Sequence, residues 1–140
     1  MIPNVLIDTD VMLDVFLDRA PHNGPSKAVM ALLGRKFFHG HITATIVVNI
    51  HYHVRKHLGK ENAVQCVRDL LRTKEIEVHA IDKQTLLTAI DSEMSDFEDA
   101  VQASAAAVAE IDFIVTRNKR DFRQSSVPAV LPEELLKKLI

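Results

Sequence analysis

Short apolar runs alternate along the chain with longer stretches of helical periodicity. Residues 4–8 read as a strand around Val5-Leu6-Ile7, and the apolar positions Val11, Met12, Leu13, Val15, Phe16 and Leu17 predict a short helix with Asp14 and Asp18 set among them. Breakers crowd residues 19–25, which predicts a loop; Ser26 is then placed to cap a helix that runs to about Leu33 and ends at Gly34. A second strand is expected over residues 41–44, and a helix over 45–57 with Gly59 as its C-terminal cap. Residues 60–73 carry an apolar helical face at Ala63, Val64, Val67, Leu70 and Leu71, and 76–79 read as a third strand. Another helix is expected over 82–93. The pattern Ser95-x-x-Glu98 then forms a capping box before an alanine-rich helix over 100–109. Residues 112–116 read as the fourth strand. Residues 127–131 offer a fifth, confined by Pro128 to an edge, and Pro132, Glu133 and Glu134 open a closing helix to Ile140.

Strands separated by helices imply an α/β fold with a mostly parallel sheet covered on both faces. Length fits one domain over residues 1–140, and a hydrophobic content of 47% suffices for one sizeable core. No run is long enough to span a membrane, and Met1-Ile2-Pro3-Asn4 lacks the layout of a signal peptide, so the expected location is cytoplasmic. A net charge of -2 with a pI near 6.4 excludes binding of nucleic acid by bulk positive charge and leaves only local basic patches. Cys66, the single cysteine, cannot form an internal disulfide; its apolar neighbours suit a buried thiol in a reducing compartment.

In such open sheets, ligands bind beyond the carboxyl ends of the strands where the strand order reverses. Asp8 and Asn118 fall at or just past two such ends. Asp96 and Asp99, three apart at a helix start, share a face and can flank one ion; negative charge at a helix N-terminus is equally a structural feature that needs no metal. Asp99 begins a helix that looks largely buried, where an unpaired charge is costly. Asp8 can either cap the following helix, a role open also to Thr9 and Asp10, or bind a cation. Carboxylates and an amide suit hydrated Mg2+ or Mn2+, since hard cations prefer oxygen. Without clustered cysteines or a His-x-x-x-His pair, structural zinc is not expected, and His51 and His53 diverge on their helix.

Three segments taken together, Leu6-Ile7-Asp8-Thr9-Asp10-Val11, Asp96-Phe97-Glu98-Asp99-Ala100 and Val115-Thr116-Arg117-Asn118-Lys119-Arg120-Asp121-Phe122, resemble a PIN domain in order and spacing over nearly the whole chain. The resemblance implies a three-layer α/β/α fold with a five-stranded parallel sheet and a metal-dependent nuclease site. It also implies an endoribonuclease that acts on RNA as the toxin of a toxin–antitoxin pair, with an antitoxin protein as partner and a homodimer built on apolar helices. Residue by residue it puts the first family acid at Asp8, the third at Asp99 and an accessory acid at Asp96. The second, commonly a glutamate, falls on Asn49, and the fourth on Asn118, with Asp121 three residues on to supply charge. Asparagine coordinates through its carbonyl oxygen but brings no charge and is no general base.

Asp8 and Asp99 are therefore the leading ligands for Mg2+ or Mn2+, with Asp96, Asn118 and Asp121 around them. With two amides in place of acids, a single ion is expected. Arg117, Lys119, Arg120 and Arg123 are candidate contacts to the RNA backbone, and Arg55, Lys56 and Lys60 form a second basic patch; either cluster is equally readable as a solvated face. With no tryptophan and one tyrosine, Tyr52, base stacking is not expected to dominate recognition. Two other readings stand beside the nuclease: a catalytically weak PIN-fold module that binds RNA or protein, suggested by Asn49 and Asn118, and a phosphatase-like enzyme that uses Asp8-Thr9-Asp10 with an aspartate nucleophile.

Overall fold

A computed structural model describes residues 1–140. In chain order the elements are β1 (Asn4–Ile7), α1 (Thr9–Phe16), α2 (Asn23–Gly34), β2 (His39–Thr43), α3 (Ala44–Leu58), α4 (Lys60–Arg72), β3 (Ile76–His79), α5 (Lys83–Ile90), α6 (Phe97–Val108), β4 (Phe113–Val115), a 3-10 turn (Lys119–Phe122), β5 (Ala129–Val130) and α7 (Pro132–Leu139). The five strands lie in the order β3-β2-β1-β4-β5, and every pairing is parallel.

Right-handed crossovers explain the layers. The chain steps from β1 to β2 to β3 in one direction, which puts α1 to α4 on one face, where α1 packs on α2 and α3, and α7 returns to α2. It then jumps back across the sheet to β4, which puts the packed pair α5 and α6 on the other face. The strand order therefore reverses between β1 and β4, and a crevice is expected at their carboxyl ends.

A core of 26 buried apolar residues joins the layers, with Val5, Ile7, Ile42, Ile46, Ile50, Ile114 and Leu135 wholly buried. Gly40 is required by close approach, because a Cβ there would meet Leu33 Cδ1 at 2.8 Å and the Glu75 carbonyl at 3.1 Å. Gly59, at φ 89°, ends α3 as its sequence position predicts.

Several boundaries differ from the sequence reading. Helix α2 begins at Asn23, because Pro25 in a first turn forfeits no hydrogen bond; Ser26 is buried and donates to Asp14 Oδ2 at 3.1 Å instead of capping. Strand β2 begins at His39 and ends at Thr43, whose hydroxyl caps α3 by accepting from the Ile46 N–H. Helix α5 stops at Ile90. The capping box at Ser95 does not form: Asp96 is the cap of α6, accepting from the Asp99 N–H at 2.9 Å, so the helix starts at Phe97 and Glu98 is free to reach elsewhere. The apolar face of α4 is only partly covered, with Ala63 and Leu70 buried but Leu71 exposed, and Cys66 is half-buried, its thiol pKa raised by that burial. Strand β5 does lie at the sheet edge, and the Pro128 carbonyl accepts from the Ile114 N–H.

Candidate active site

The crevice between β1 and β4 is built from the first residues past each strand. Asp8 follows β1, and its N–H donates to the Val115 carbonyl, which fixes the carboxylate at the sheet's mouth. One of its oxygens accepts from the Thr9 N–H at 2.8 Å and the other from the Thr116 hydroxyl at 2.8 Å. Asp8 thus caps α1 and faces the pocket at once. Asp10, one residue into the helix, takes the Arg117 N–H and the Asn118 side-chain amide on Oδ2, both at 3.1 Å, while its Oδ1 is buried without a hydrogen-bond partner. Thr116 is fully buried and its hydroxyl also accepts from the Asn118 N–H at 3.0 Å.

From the opposite wall, the N-terminus of α6 delivers Asp96, Glu98 and Asp99. A helix N-terminus favours negative charge, yet burial pushes Asp99 up to about 7, with the charges of Asp8, Asp96, Asp121 and Glu98 acting in the same direction. Crowding overrides the dipole. Asp10 is also raised to about 7, first by burial and then by Asp8, against the opposing charge of Arg117. Burial raises Asp8, opposed by its hydrogen bonds from Thr116 and Thr9, and burial with Asp96 raises Glu98. Six carboxyl groups at one mouth with so little compensation leave a concentrated demand for positive charge.

Arg117 meets that demand only in part. Its guanidinium turns inward, with Nε 2.8 Å from Asp14 Oδ2 as a close charge pair whose N–H is not aimed at the oxygen. Arg19 binds the other oxygen of Asp14 at 3.1 Å, and Ser26 completes the set. Asp14, wholly buried, thereby ties α1, α2 and the segment after β4 together beneath the mouth. The sequence shows an acid amid Met12, Leu13, Val15 and Phe16 there, a signal that it must be paired.

The donor set fits a hard divalent cation: carboxylate oxygens and the Asn118 amide carbonyl, with a buried unpartnered oxygen on Asp10. No three of these acids bring ligand oxygens within 4.8 Å of one another, which suits an ion that keeps part of its water shell. Asn49 projects from α3 and donates to Glu98 Oε1 at 2.7 Å. Glu98, which the sequence reading assigned only to a capping box, thus stands beside the amide and supplies the nearest carboxylate.

Asp8, Asp10, Asp96, Asp99, Thr116 and Asn118 line one mouth, and Asp121 on the 3-10 turn adds its field to Asp99. Of the basic cluster, Arg120 and Arg123 are exposed, whereas Lys119 is held by both oxygens of Glu134 at 3.0 and 2.9 Å.

The PIN domain family model matches residues 4–120. Solved structures share the fold at low identity. A VapBC2 complex from Rickettsia felis bound to a DNA fragment from its promoter aligns with TM-score 0.70 and 16% identity over 94% of this chain and 98% of that one. FitAcB from Neisseria gonorrhoeae aligns with TM-score 0.69 and 16% identity over 92% and 98%. VapC20 from Mycobacterium tuberculosis, a toxin that cleaves the sarcin–ricin loop, aligns with TM-score 0.66 and 14% identity over 79% and 86%. No curated protein matches by sequence. No helix is long and apolar enough to cross a membrane.

Proposed function

The chain belongs to the PIN domain family, and on that premise we propose that it is a metal-dependent endoribonuclease acting as the toxin of a toxin–antitoxin pair. The observation that carries the reading is the under-compensated acidic mouth, where Asp10 and Asp99 are both raised to about 7 beside a buried Asp8. Asp8 and Asp99 would hold Mg2+ or Mn2+, with Asp96, Glu98 and the Asn118 carbonyl completing its surroundings. The chemistry supplied by such an ion when bound is polarisation of the scissile phosphate and a lowered pKa of water. Thr116 positions Asp8 through its 2.8 Å hydrogen bond, and Asn118 positions Asp10. Asp121, exposed at the rim, accepts a proton from the attacking water. Arg120 and Arg123 contact the RNA backbone from the same rim, and Lys119 joins them by leaving Glu134.

The toxin assignment draws on fold alone: the neighbours include VapBC and FitAB proteins and a toxin–antitoxin complex from Klebsiella pneumoniae. An antitoxin segment would cover apolar side chains exposed on α3 and α4, where Val64, Val67 and Leu71 line a cleft of about 410 Å3 with Arg68 and Arg72. Cleavage of single-stranded RNA that requires Mg2+ or Mn2+ and is lost in Asp8→Asn and in Asp99→Asn is the expected result. RNA left intact by the folded protein with either ion would remove the nuclease reading. The binding-module reading, which Asn49 and Asn118 favour by lowering the site's charge, would then be tested by RNA binding that persists without metal.

A further inference from the structure

The tightest cluster of metal-ligating side chains lies away from the acidic mouth. His41 of β2 pairs in register with Glu77 of β3, and His79 stands two residues further along β3, so all three project from the same face of the sheet. Their ligand atoms lie within 4.8 Å of one another. His41 Nδ1 is 2.8 Å from His79 Nε2 and 3.5 Å from Glu77 Oε2, and the two rings stack with centroids 5.1 Å apart.

We propose that His41, Glu77 and His79 form a second metal site, selective for Zn2+ or a similar borderline transition ion, that clamps edge strand β3 to β2. Two imidazole nitrogens and a carboxylate are a common donor set for zinc, with a fourth position left to water. The orienting contact is present: His41 Nε2 faces the Asn4 side-chain oxygen at 2.9 Å, and Asn4 is itself held by its N–H donating to Asp112. With the Nε2 proton on Asn4, the Nδ1 lone pair points at His79 and Glu77, the arrangement that a metal-bound histidine needs. In the ion's absence a single proton between the two rings fills the gap. Tetrahedral ligation would separate the nitrogens to roughly 3.3 Å, a shift of about 0.5 Å, within reach of the half-buried His79. Burial, reinforced by His79 and opposed by Glu77, lowers the His41 pKa, which favours the neutral ring that ligates.

Access is open. A cavity of about 400 Å3 lies over the cluster, bordered by Asp82 and Thr85 and by Ala105, Val108 and Ala109 at the C-terminal end of α6. Asp99 is on the first turn of the same helix, and the nine residues from it to Val108 span roughly 14 Å of helix. The donors differ as well, oxygens at one end and mainly nitrogens at the other, which makes the sites separable by the ion each prefers.

Titration of the metal-free protein with Zn2+ alone, and with Co2+ as a spectroscopic probe, tests the proposal. One equivalent is expected to bind at micromolar free Zn2+ in both the wild type and the Asp8→Asn/Asp99→Asn double variant, with the visible absorption of four-coordinate Co2+. His79→Ala, a change at a half-buried position that should leave folding intact, is expected to weaken binding at least tenfold, Glu77→Gln less, and neither should alter RNA binding. Equal Zn2+ affinity in His79→Ala and wild type, loss of the bound equivalent in the Asp8→Asn/Asp99→Asn protein, or no binding at all would each overturn it and leave the histidines as a hydrogen-bonded pair.

Discussion

The two ends of α6 face chemically opposite surroundings. At its N-terminus, carboxylates from the residue after β1, from α1, from the start of α6 and from the turn after β4 crowd a mouth without bringing three ligand atoms together, and the Asp10 and Asp99 protons are held to about 7. At its C-terminus, beneath Ala105 and Val108, two imidazoles and one carboxylate are already gathered. The first arrangement has excess charge and loose geometry, and it suits a hydrated hard ion with substrate phosphate as further ligand. The second has little charge and tight geometry, as a borderline ion requires. Charge demand and preformed geometry are thus separate properties, and either alone is an incomplete sign of a metal site.

The sharpest way to break this contrast is a double dissociation. Asp8→Asn is expected to lower RNA cleavage by at least about 100-fold, since a metal's polarising effect is worth several kcal/mol and each tenfold in rate is about 1.4 kcal/mol. Its Zn2+ binding should be unchanged. His79→Ala should show the reverse, with cleavage retained and Zn2+ lost. If both variants lost both properties, the ends of α6 would be one coupled site.

A smaller effect tests what holds the acidic mouth in place. Asp14→Ala removes the buried partner of Arg117 and Arg19 and is expected to cost about 3 kcal/mol in urea unfolding, because a buried pair is destabilised chiefly by the charge left behind. The exposed pair Lys119–Glu134, broken by Glu134→Gln, should cost less than about 1 kcal/mol. Equal costs would mean that the Asp14 network is no more than surface decoration.

Much of this contrast was legible in the residues and part of it was not. Asp8 and Asp99 could be placed because each adjoins an apolar run whose direction sets where its side chain emerges, a local property. The parallel sheet follows from alternation, whereas the reversal between β1 and β4 is set by the strand order, which alternation does not state. The histidine cluster was hidden because His41 and Glu77 are 36 residues apart and meet only through the β2–β3 register, which no local pattern states. For the same reason the absence of a helical His-x-x-x-His pair argued against zinc without testing ligands on adjacent strands. Glu98 escapes a local reading because Ser95 and Asp96 are equally good caps one residue apart; in the structure Asp96 caps α6, and Glu98 accepts from Asn49 instead.

pH separates the two regions more gently. Asp10 and Asp99 carry folded pKa values near 7 against an ordinary value of 3.8, so between these limits the folded state holds more protons than the unfolded. Metal-free stability contributed by the mouth therefore falls as pH rises from about 4 to about 7 and levels off above. His41, with a lowered folded pKa, acts with opposite sign: its contribution falls as pH drops through the ordinary imidazole value of 6.5. Melting temperatures without metal at pH 5 and 7.5 should differ less in Asp99→Asn than in the wild type, and Mg2+ should raise the wild-type value more at pH 7.5. An unchanged slope in Asp99→Asn would assign the pH response elsewhere.

The smallest expected change concerns the departures from a fully acidic mouth. Asn118 donates to Asp10 Oδ2 at 3.1 Å, a hydrogen bond to the carboxylate whose charged form burial and Asp8 disfavour. Asn118→Asp would replace that donor with another carboxylate. Without metal, the lost hydrogen bond and added repulsion should lower stability by about 1 kcal/mol. With Mn2+, the added charge should raise affinity several-fold, since ligand charge count sets the strength of oxygen sites. These effects have opposite signs, so Mn2+ titration and metal-free unfolding together identify their cause. Weaker metal-free stability with no gain in Mn2+ affinity would show that Asn118 supports Asp10 without facing the ion. Asn49→Glu, beside Glu98, would then be the remaining route to a stronger acidic site.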